Sequence, residues 1–315
     1  MVESNPDGAR EWVSNLIDFV RTPESRFAGI PDYPFAPHYF EVDGLRMHFV
    51  DEGPRDAAPV LLLHGEPSWS FLYRHMITGL AGLGHRVVAP DLIGFGKSDK
   101  PTRQADHTVE RHVRWLREFV ESLDLESVTL FGQDWGSSLG LRLAAELEPR
   151  FARIVIGNGV LPADHGVETK RWLIRVWQAF TKWSPVVPVG QVVNLNAGRS
   201  LTREEVRAYD APFPTNQHLT GVRAFTALIP MSAQDPATPG NVAAWDVLKR
   251  WKKPFLTVFS NGDPVLQKMD AVFQERIPGA AGQPHARVEG GHFLQEAAAP
   301  ELVRRIDALI RATDD

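Results

Sequence analysis

The pentapeptide Gly132-Gln133-Asp134-Trp135-Gly136 sets a carboxylate between two glycines, after the apolar run "SVTLF" and before the small-residue stretch "GSSLGLRLAAELEP". Strand, tight turn and helix in that order have the form of a nucleophile elbow, whose central residue stands on a sharp turn above a sheet edge. Glycines flank it because the turn brings neighbouring backbones close together. The helix that follows aims its N–H groups and its positive end at the reacting centre. An aspartate in that place needs no base to activate it, since a carboxyl with a reference pKa near ~4 is already an anion at neutral pH. It can attack carbon directly and form an ester, which water must then hydrolyse. Such a site needs a base for the water, an acid to orient the base, and donors for the developing charge.

Three further stretches supply these groups. "EGGHF" (289–293) places His292 after the last expected strand, where the order nucleophile–acid–histidine puts the base. The chain holds 11 histidines, and position is what singles this one out. "SNGDP" (260–264) ends a strand with Asp263, the candidate orienting acid; a turn aspartate before proline is its other reading. Asp270, within a helical stretch, is a rival acid. In "LLHGEPSWSF" (62–71) a tight turn offers the backbone N–H of Glu66. The residue after the nucleophile offers that of Trp135, and the two together make an oxyanion hole. The Glu66 side chain has two readings: it positions the hydrolytic water, or it is held in a structural hydrogen bond.

These groups need a scaffold. "VLLLHG" (60–65), "HRVVAPDLIG" (85–94), "SVTLFGQD" (127–134), "RIVIGNG" (153–159), "PFLTVFSNGD" (254–263) and "HARVEGGH" (285–292) read as strands. Helical stretches at 70–83, 110–123, 137–149 and 300–312 alternate with them, the last opening on proline. The alternation predicts a mostly parallel sheet covered on both faces. Asp43-Gly44 between two alternating runs predicts a hairpin. From 160 to 231 the strand-like runs stop, and helical patterns, prolines and three tryptophans take over. That predicts a helical cap (160–231) inserted into a core made of 1–159 and 232–315.

Composition narrows the function. The chain has 315 residues, a net charge of -5 and no cysteine. Disulfides, thiol chemistry and cysteine-ligated metals are therefore excluded. Charges of both signs are mixed along the chain, with no basic stripe for nucleic acid and no polybasic run for a membrane surface. No apolar stretch is long enough to span a bilayer. "MVESNPDGAREW" is polar and acidic, unlike a secretory signal. The expectation is a soluble, cytoplasmic protein whose nine tryptophans are mostly core.

"GQDWG", "HGEPSWSFLYR", "DLIGFGKSDKP", "FAGIPDYPFAPHYF" and "GGHFLQE" together resemble the haloalkane dehalogenases, over most of the chain from Phe27 to Gln295. The resemblance implies an α/β-hydrolase fold with a helical cap. It implies that Asp134 displaces halide from a small halogenated aliphatic substrate and forms an alkyl-enzyme ester. His292, oriented by Asp263, would activate a water, and the N–H groups of Glu66 and Trp135 would hold the oxyanion. The products would be an alcohol, a halide ion and a proton. No cofactor and no metal are implied, and the expected state is a monomer.

The resemblance also explains the tryptophan after the aspartate. An indole N–H donates to a departing halide without carrying a charge that would pair with the nucleophile. Its ring lines an apolar pocket. One subgroup of the family takes its second halide donor from an asparagine after the "HG" turn, where this chain has Glu66. The other takes it from a cap tryptophan. Among Trp172, Trp177 and Trp183, the distance from Trp177 to Pro188-Val189-Gly190 fits the family pattern. In that subgroup the acid follows the later strand, as Asp263 does, and Asn158 fills the position that carries the acid elsewhere. Epoxide hydrolases, the alternative, share the elbow but use two cap tyrosines as acids; this cap has only Tyr209. A dehalogenase of fluorinated acids would need arginines beside the nucleophile, where "DWGSS" has none. A binding protein that had lost its chemistry would lack one of these groups, and none is missing.

Overall fold

The computed structural model describes residues 17–162, 171–184, 186–230, 232 and 234–313. Residues 1–16 of the expected core and 163–170 of the expected cap lie outside the described residues, as does Trp12. A two-residue strand, β1 (Phe19–Val20), comes first. β2 (His38–Val42) and β3 (Leu45–Glu52) form the expected hairpin. Asp43 and Gly44 both take positive φ at its turn, 53° and 74°.

The α/β alternation then runs as the sequence predicts. β4 (Pro59–Leu63), α1 (Arg74–Gly82), β5 (Arg86–Pro90), the short β6 (Lys100–Pro101), α2 (Val109–Ser122), β7 (Val128–Asp134), α3 (Trp135–Glu146) and β8 (Phe151–Gly159) follow in order. Four helices come next: α4 (Arg171–Trp183), α5 (Val189–Asn196), α6 (Arg203–Asp210) and α7 (Thr220–Ala227). No strand occurs among the described residues of this stretch. α8 (Thr238–Leu248), β9 (Phe255–Ser260), α9 (Met269–Arg276), β10 (Ala286–Val288) and α10 (Gln295–Arg311) complete the chain.

Eight strands form one sheet in the order β10-β9-β8-β7-β4-β5-β3-β2. β4, β5, β7, β8, β9 and β10 are parallel, and the hairpin joins antiparallel at one edge. β4 is wholly buried, "PVLLL", because helices cover both faces of a parallel strand and no polar alternation is needed. On one face Met76, Ile77 and Leu80 of α1 meet Leu302 and Ile306 of α10. On the other, Val113, Leu116, Leu139, Leu143, Trp245 and Leu248 of α2, α3 and α8 share the core.

The topology decides where the site lies. From β4 the chain steps outward to β5, then returns to lay β7 on the other side of β4. Such a reversal opens a crevice at the carboxyl ends of the two central strands. Gly65–Glu66 and Asp134 emerge side by side there.

Some expected boundaries shift. β10 spans three residues rather than eight: its ladder with β9 ends at Val288, and the last backbone bond to the neighbouring segment, Gly262 N to Gly290 O (3.0 Å), falls at Gly290, whose φ is 150°. α10 starts at Gln295, five residues before the expected start. Its backbone departs from helix at Ala298 (φ -123°, ψ 17°), so Pro300 sits in the first turn of a second helical piece, where a missing N–H is tolerated. Trp69, Trp115, Trp135, Trp245 and Trp251 are buried as expected, while Trp172 and Trp183 are exposed. Among the described residues no helix is long and apolar enough to cross a membrane.

Candidate active site

Asp134 ends β7 and precedes the first turn of α3, with φ 52° and ψ -125°. A non-glycine residue in this region stores strain on the order of 1–3 kcal/mol, so the surroundings must hold it. They do so through Ser137, whose hydroxyl donates to Asp134 O (2.6 Å) and accepts from Val160 N (2.8 Å). The turn is tied in this way to the end of β8. Close approach explains the glycines. A Cβ on Gly136 would lie 1.9 Å from Leu63 O, and one on Gly65 would lie 2.2 Å from Asp134 Oδ1. Gly65→Ala must displace the carboxylate, and a displacement near 1 Å costs about 100-fold in rate. The expected result is that fall in kcat/KM with an unchanged circular dichroism spectrum. Activity within about threefold of wild type would contradict the packing argument.

Glu66 N–H donates to Asp134 Oδ1 at 2.9 Å. The peptide carrying that N–H is anchored at its other end. Gly65 O accepts from Ser68 N (2.9 Å), Ser68 Oγ (2.8 Å) and His64 Nδ1 (3.0 Å). His64 Nε2 accepts from Leu92 N at 2.9 Å, so the ring proton is on Nδ1 and the contact to Gly65 O is a donated bond. Burial lowers the His64 pKa, which keeps that tautomer neutral. Trp135 opens α3, so its N–H is one of those the helix leaves free. Its indole is buried, edge-on to Phe225 of α7 at 5.1 Å.

The sheet brings the other two expected groups to the same crevice. His292 Nδ1 lies 2.8 Å from Asp263 Oδ2, and Nε2 lies 3.5 Å from Asp134 Oδ2. Asp263 is fully buried, and its Oδ1 accepts from Val265 N (2.8 Å) and Leu266 N (3.0 Å). Burial works against charge on the His292 ring, but the carboxylates of Asp263 and Asp134 outweigh it and raise its pKa to about 10. Burial likewise opposes charge on Asp263. His292 and the two backbone donors overcome it and lower its pKa. The rival Asp270 is instead paired with Arg287 at 2.6 Å.

Of the three tryptophans of 160–231, Trp177 is the one that reaches the crevice. Its Nε1 donates to Glu66 Oε2 at 3.3 Å. Burial, then the neighbouring Asp134 charge, push the Glu66 carboxyl well above its usual range, and the Trp177 bond only partly opposes this. The shift favours the neutral carboxyl over the carboxylate. Its Oε1 is buried without a hydrogen-bond partner.

Several residues here escape a reading of sequence alone. Asn158 (φ 43°) staples the end of β8 to its neighbours. Its Nδ2 donates to Gly291 O (2.8 Å) and His292 O (3.0 Å), and its Oδ1 accepts from Ser260 N (2.8 Å). Gln133 Nε2 donates to His292 O at 3.1 Å and lies 3.1 Å from His292 Nε2, where it suits the neutral ring. Phe293 N donates to Asn196 O of α5 at 3.1 Å. Behind this loop Arg74 pairs with Glu296 (2.6 Å) and Glu205 (2.7 Å), and Arg199 bonds both acids. Two buried carboxylates meet two guanidiniums, which a low-dielectric interior requires. Tyr209, the single tyrosine of 160–231, gives its hydroxyl to Glu296 in this network.

Comparison with known proteins gives the family. Residues 58–299 match the family model of the alpha/beta hydrolase fold. A haloalkane dehalogenase of Mycobacterium marinum is 51% identical over 295 residues, covering 92% of this chain and 99% of its own. Haloalkane dehalogenase 1 of Mycobacterium tuberculosis is 52% identical over 302 residues, covering 94% and 100%. Among solved structures, the tetrameric haloalkane dehalogenase DpaA of Paraglaciecola agarilytica NO2 superposes with a TM-score of 0.85 at 34% identity, covering 95% of this chain and 99% of that one. With a nucleophile-elbow aspartate at the switch point of its sheet and relatives of this similarity along nearly its whole length, the chain belongs to the haloalkane dehalogenases of the α/β-hydrolase fold.

Proposed function

We propose that this protein hydrolyses small alkyl halides through an ester on Asp134. One observation carries the reading: the Asp134 carboxylate is held at Oδ1 by Glu66 N–H while Oδ2 faces His292, itself hydrogen-bonded to Asp263. Oδ2 attacks the halogen-bearing carbon, the carbon–halogen bond breaks, and the halide leaves with the bonding pair. Trp135 Nε1 and Trp177 Nε1 donate to the departing halide. Trp177 already offers its N–H to the Glu66 side chain at 3.3 Å, an acceptor that a halide can replace. The region 160–231 acts as a cap that supplies Trp177 and closes the site.

The second half uses the electrostatics of the histidine. In the free protein two carboxylates stabilise its charged form. Alkylation turns Asp134 into a neutral ester and removes one of them. The ring pKa falls, the proton leaves, and Nε2 becomes a base. It takes a proton from water, whose oxygen attacks Cγ of the ester. The tetrahedral oxyanion rests on the N–H groups of Glu66 and Trp135. Collapse frees the alcohol and restores the carboxylate. The balance is alkyl halide plus water to alcohol, halide and one proton. We take the working unit to be a monomer, a state that sedimentation checks directly.

The test is a single turnover in ¹⁸O-water. Because water attacks the ester carbonyl, the label enters the Asp134 carboxylate and the first alcohol stays unlabelled. Label in the first alcohol would mean direct attack of water on the substrate and would sink the ester. Trp177→Phe removes one donor to an anion, a bond worth about 1.5–3 kcal/mol. Halide binding, read by fluorescence quenching, is expected to weaken tenfold or more; unchanged affinity would remove Trp177 from the halide site.

A further inference from the structure

Helix α4 carries Trp177 on its inner side, and its outer side gathers several large exposed apolar side chains. Trp172, Val176 and Phe180 succeed one another every fourth residue, 63%, 58% and 39% exposed, and Trp183 ends the helix at 76%. From the first tryptophan to the last the stripe is about 16 Å long, at 1.5 Å per residue. Large apolar side chains grouped on one exposed face mark a docking surface rather than chance exposure. The sequence of α4, "RWLIRVWQAFTKW" (171–183), holds three basic residues and no acid, in a chain whose net charge is -5, and Arg175 among them is exposed. The basic residues are spread among apolar ones, so the stretch does not read as a polybasic run.

We propose that the outer face of α4 docks the protein on an anionic lipid surface. An apolar stripe with tryptophans near both ends, on a helix rich in Arg and Lys, is the pattern that seats a helix in the plane of a bilayer interface. Indoles sit at the headgroup level, and each basic residue adds attraction to anionic lipid. A symmetric pair of copies fits less well, because a two-fold interface would set two such acid-free basic stretches face to face. The docking has a use if the dehalogenation proposed above holds. Alkyl halides are apolar and concentrate in hydrocarbon, and α4 would place the wall of the site against that reservoir. This delivery step rests on that reading; the docking itself does not.

The experiment is co-sedimentation of the full chain, without substrate, with vesicles of phosphatidylcholine alone or of phosphatidylcholine and phosphatidylglycerol at about 7:3. Wild type is expected to sediment with the anionic vesicles, less so as salt shortens the screening length. Trp172→Glu, and separately Arg175→Glu, are expected to lower the bound-to-free ratio about tenfold or more. Both are exposed and should leave turnover of a water-soluble short haloalkane unchanged. Failure of wild type to bind anionic vesicles, or equal binding by wild type and both variants, overturns the proposal. A dimer in sedimentation velocity that Trp172→Glu dissociates also overturns it and gives the face to a second copy. Vesicle binding in a protein that releases no halide supports docking and removes only the delivery step.

Discussion

On the mechanism proposed above, the His292→Phe variant is expected to release one equivalent of halide and then stop. In that mechanism the first half-reaction needs no base, since an aspartate nucleophile requires no deprotonation step. Deleting the ring should spare ester formation and remove the base proposed to take the proton of the attacking water. Incubated with 1,2-dibromoethane, the variant is expected to show a stoichiometric bromide burst and a mass increase of one alkyl group, mapped to the peptide holding Asp134. Steady-state turnover should fall by about 10⁴-fold, the scale on which loss of a triad member acts. Sustained bromide release, or an adduct on another residue, would contradict the assignment of His292. Styrene oxide offered to the wild type serves as the control for the epoxide alternative, and no diol is expected.

Asp263→Asn should be nearly as damaging, though it changes one atom. Asp263 Oδ1 accepts from the backbone N–H groups of Val265 and Leu266. An asparagine must keep its oxygen there, because its NH₂ cannot face two donors. The NH₂ is then turned toward His292 Nδ1, which lies 2.8 Å from the other carboxylate oxygen. A donor at that point forces Nδ1 to accept and moves the ring proton to Nε2. The nitrogen facing Asp134 can no longer take a proton from water. The expected loss in kcat is about 10⁴-fold, with accumulation of the alkyl-enzyme under turnover. A fall below about tenfold would mean that Asp263 only supports the loop.

The parts of the site that could be read from sequence are those written locally. Gly-x-Asp-x-Gly between a strand and a helix contains its own geometry, and the positive φ of Asp134 is what those glycines foretell. His292 and Asp263 could be read because each ends an apolar run in the expected order. Trp177 came from spacing within a resemblance, and the contact to Glu66 is consistent with it. What stayed hidden depends on pairs far apart in the chain. Arg74 and Glu296 are 222 residues apart, and neither carries a local mark that it will be buried. Asn158 reads in the sequence only as a position that is not the acid; its role as a staple requires knowing that β8 lies beside β9. The end of β10 is hidden for a related reason. Alternation continues past Val288, and only the turn at Gly290 shows where pairing stops.

The brevity of β10 has a consequence for how this protein fails on warming. The strand is three residues long, lies at the rim of the sheet and pairs with β9 alone. Rims with few hydrogen bonds open locally at a lower free-energy cost than the centre. The last residue of β10, Val288, lies four residues before His292 in the chain. Asp134, by contrast, projects from the middle of the sheet, between β4 and β8. Heat should therefore disable the water-activating half of the cycle while the alkylating half still works, and cooling should restore it. A partly heated sample would trap haloalkane covalently, and the loss of turnover would precede the loss of helical signal.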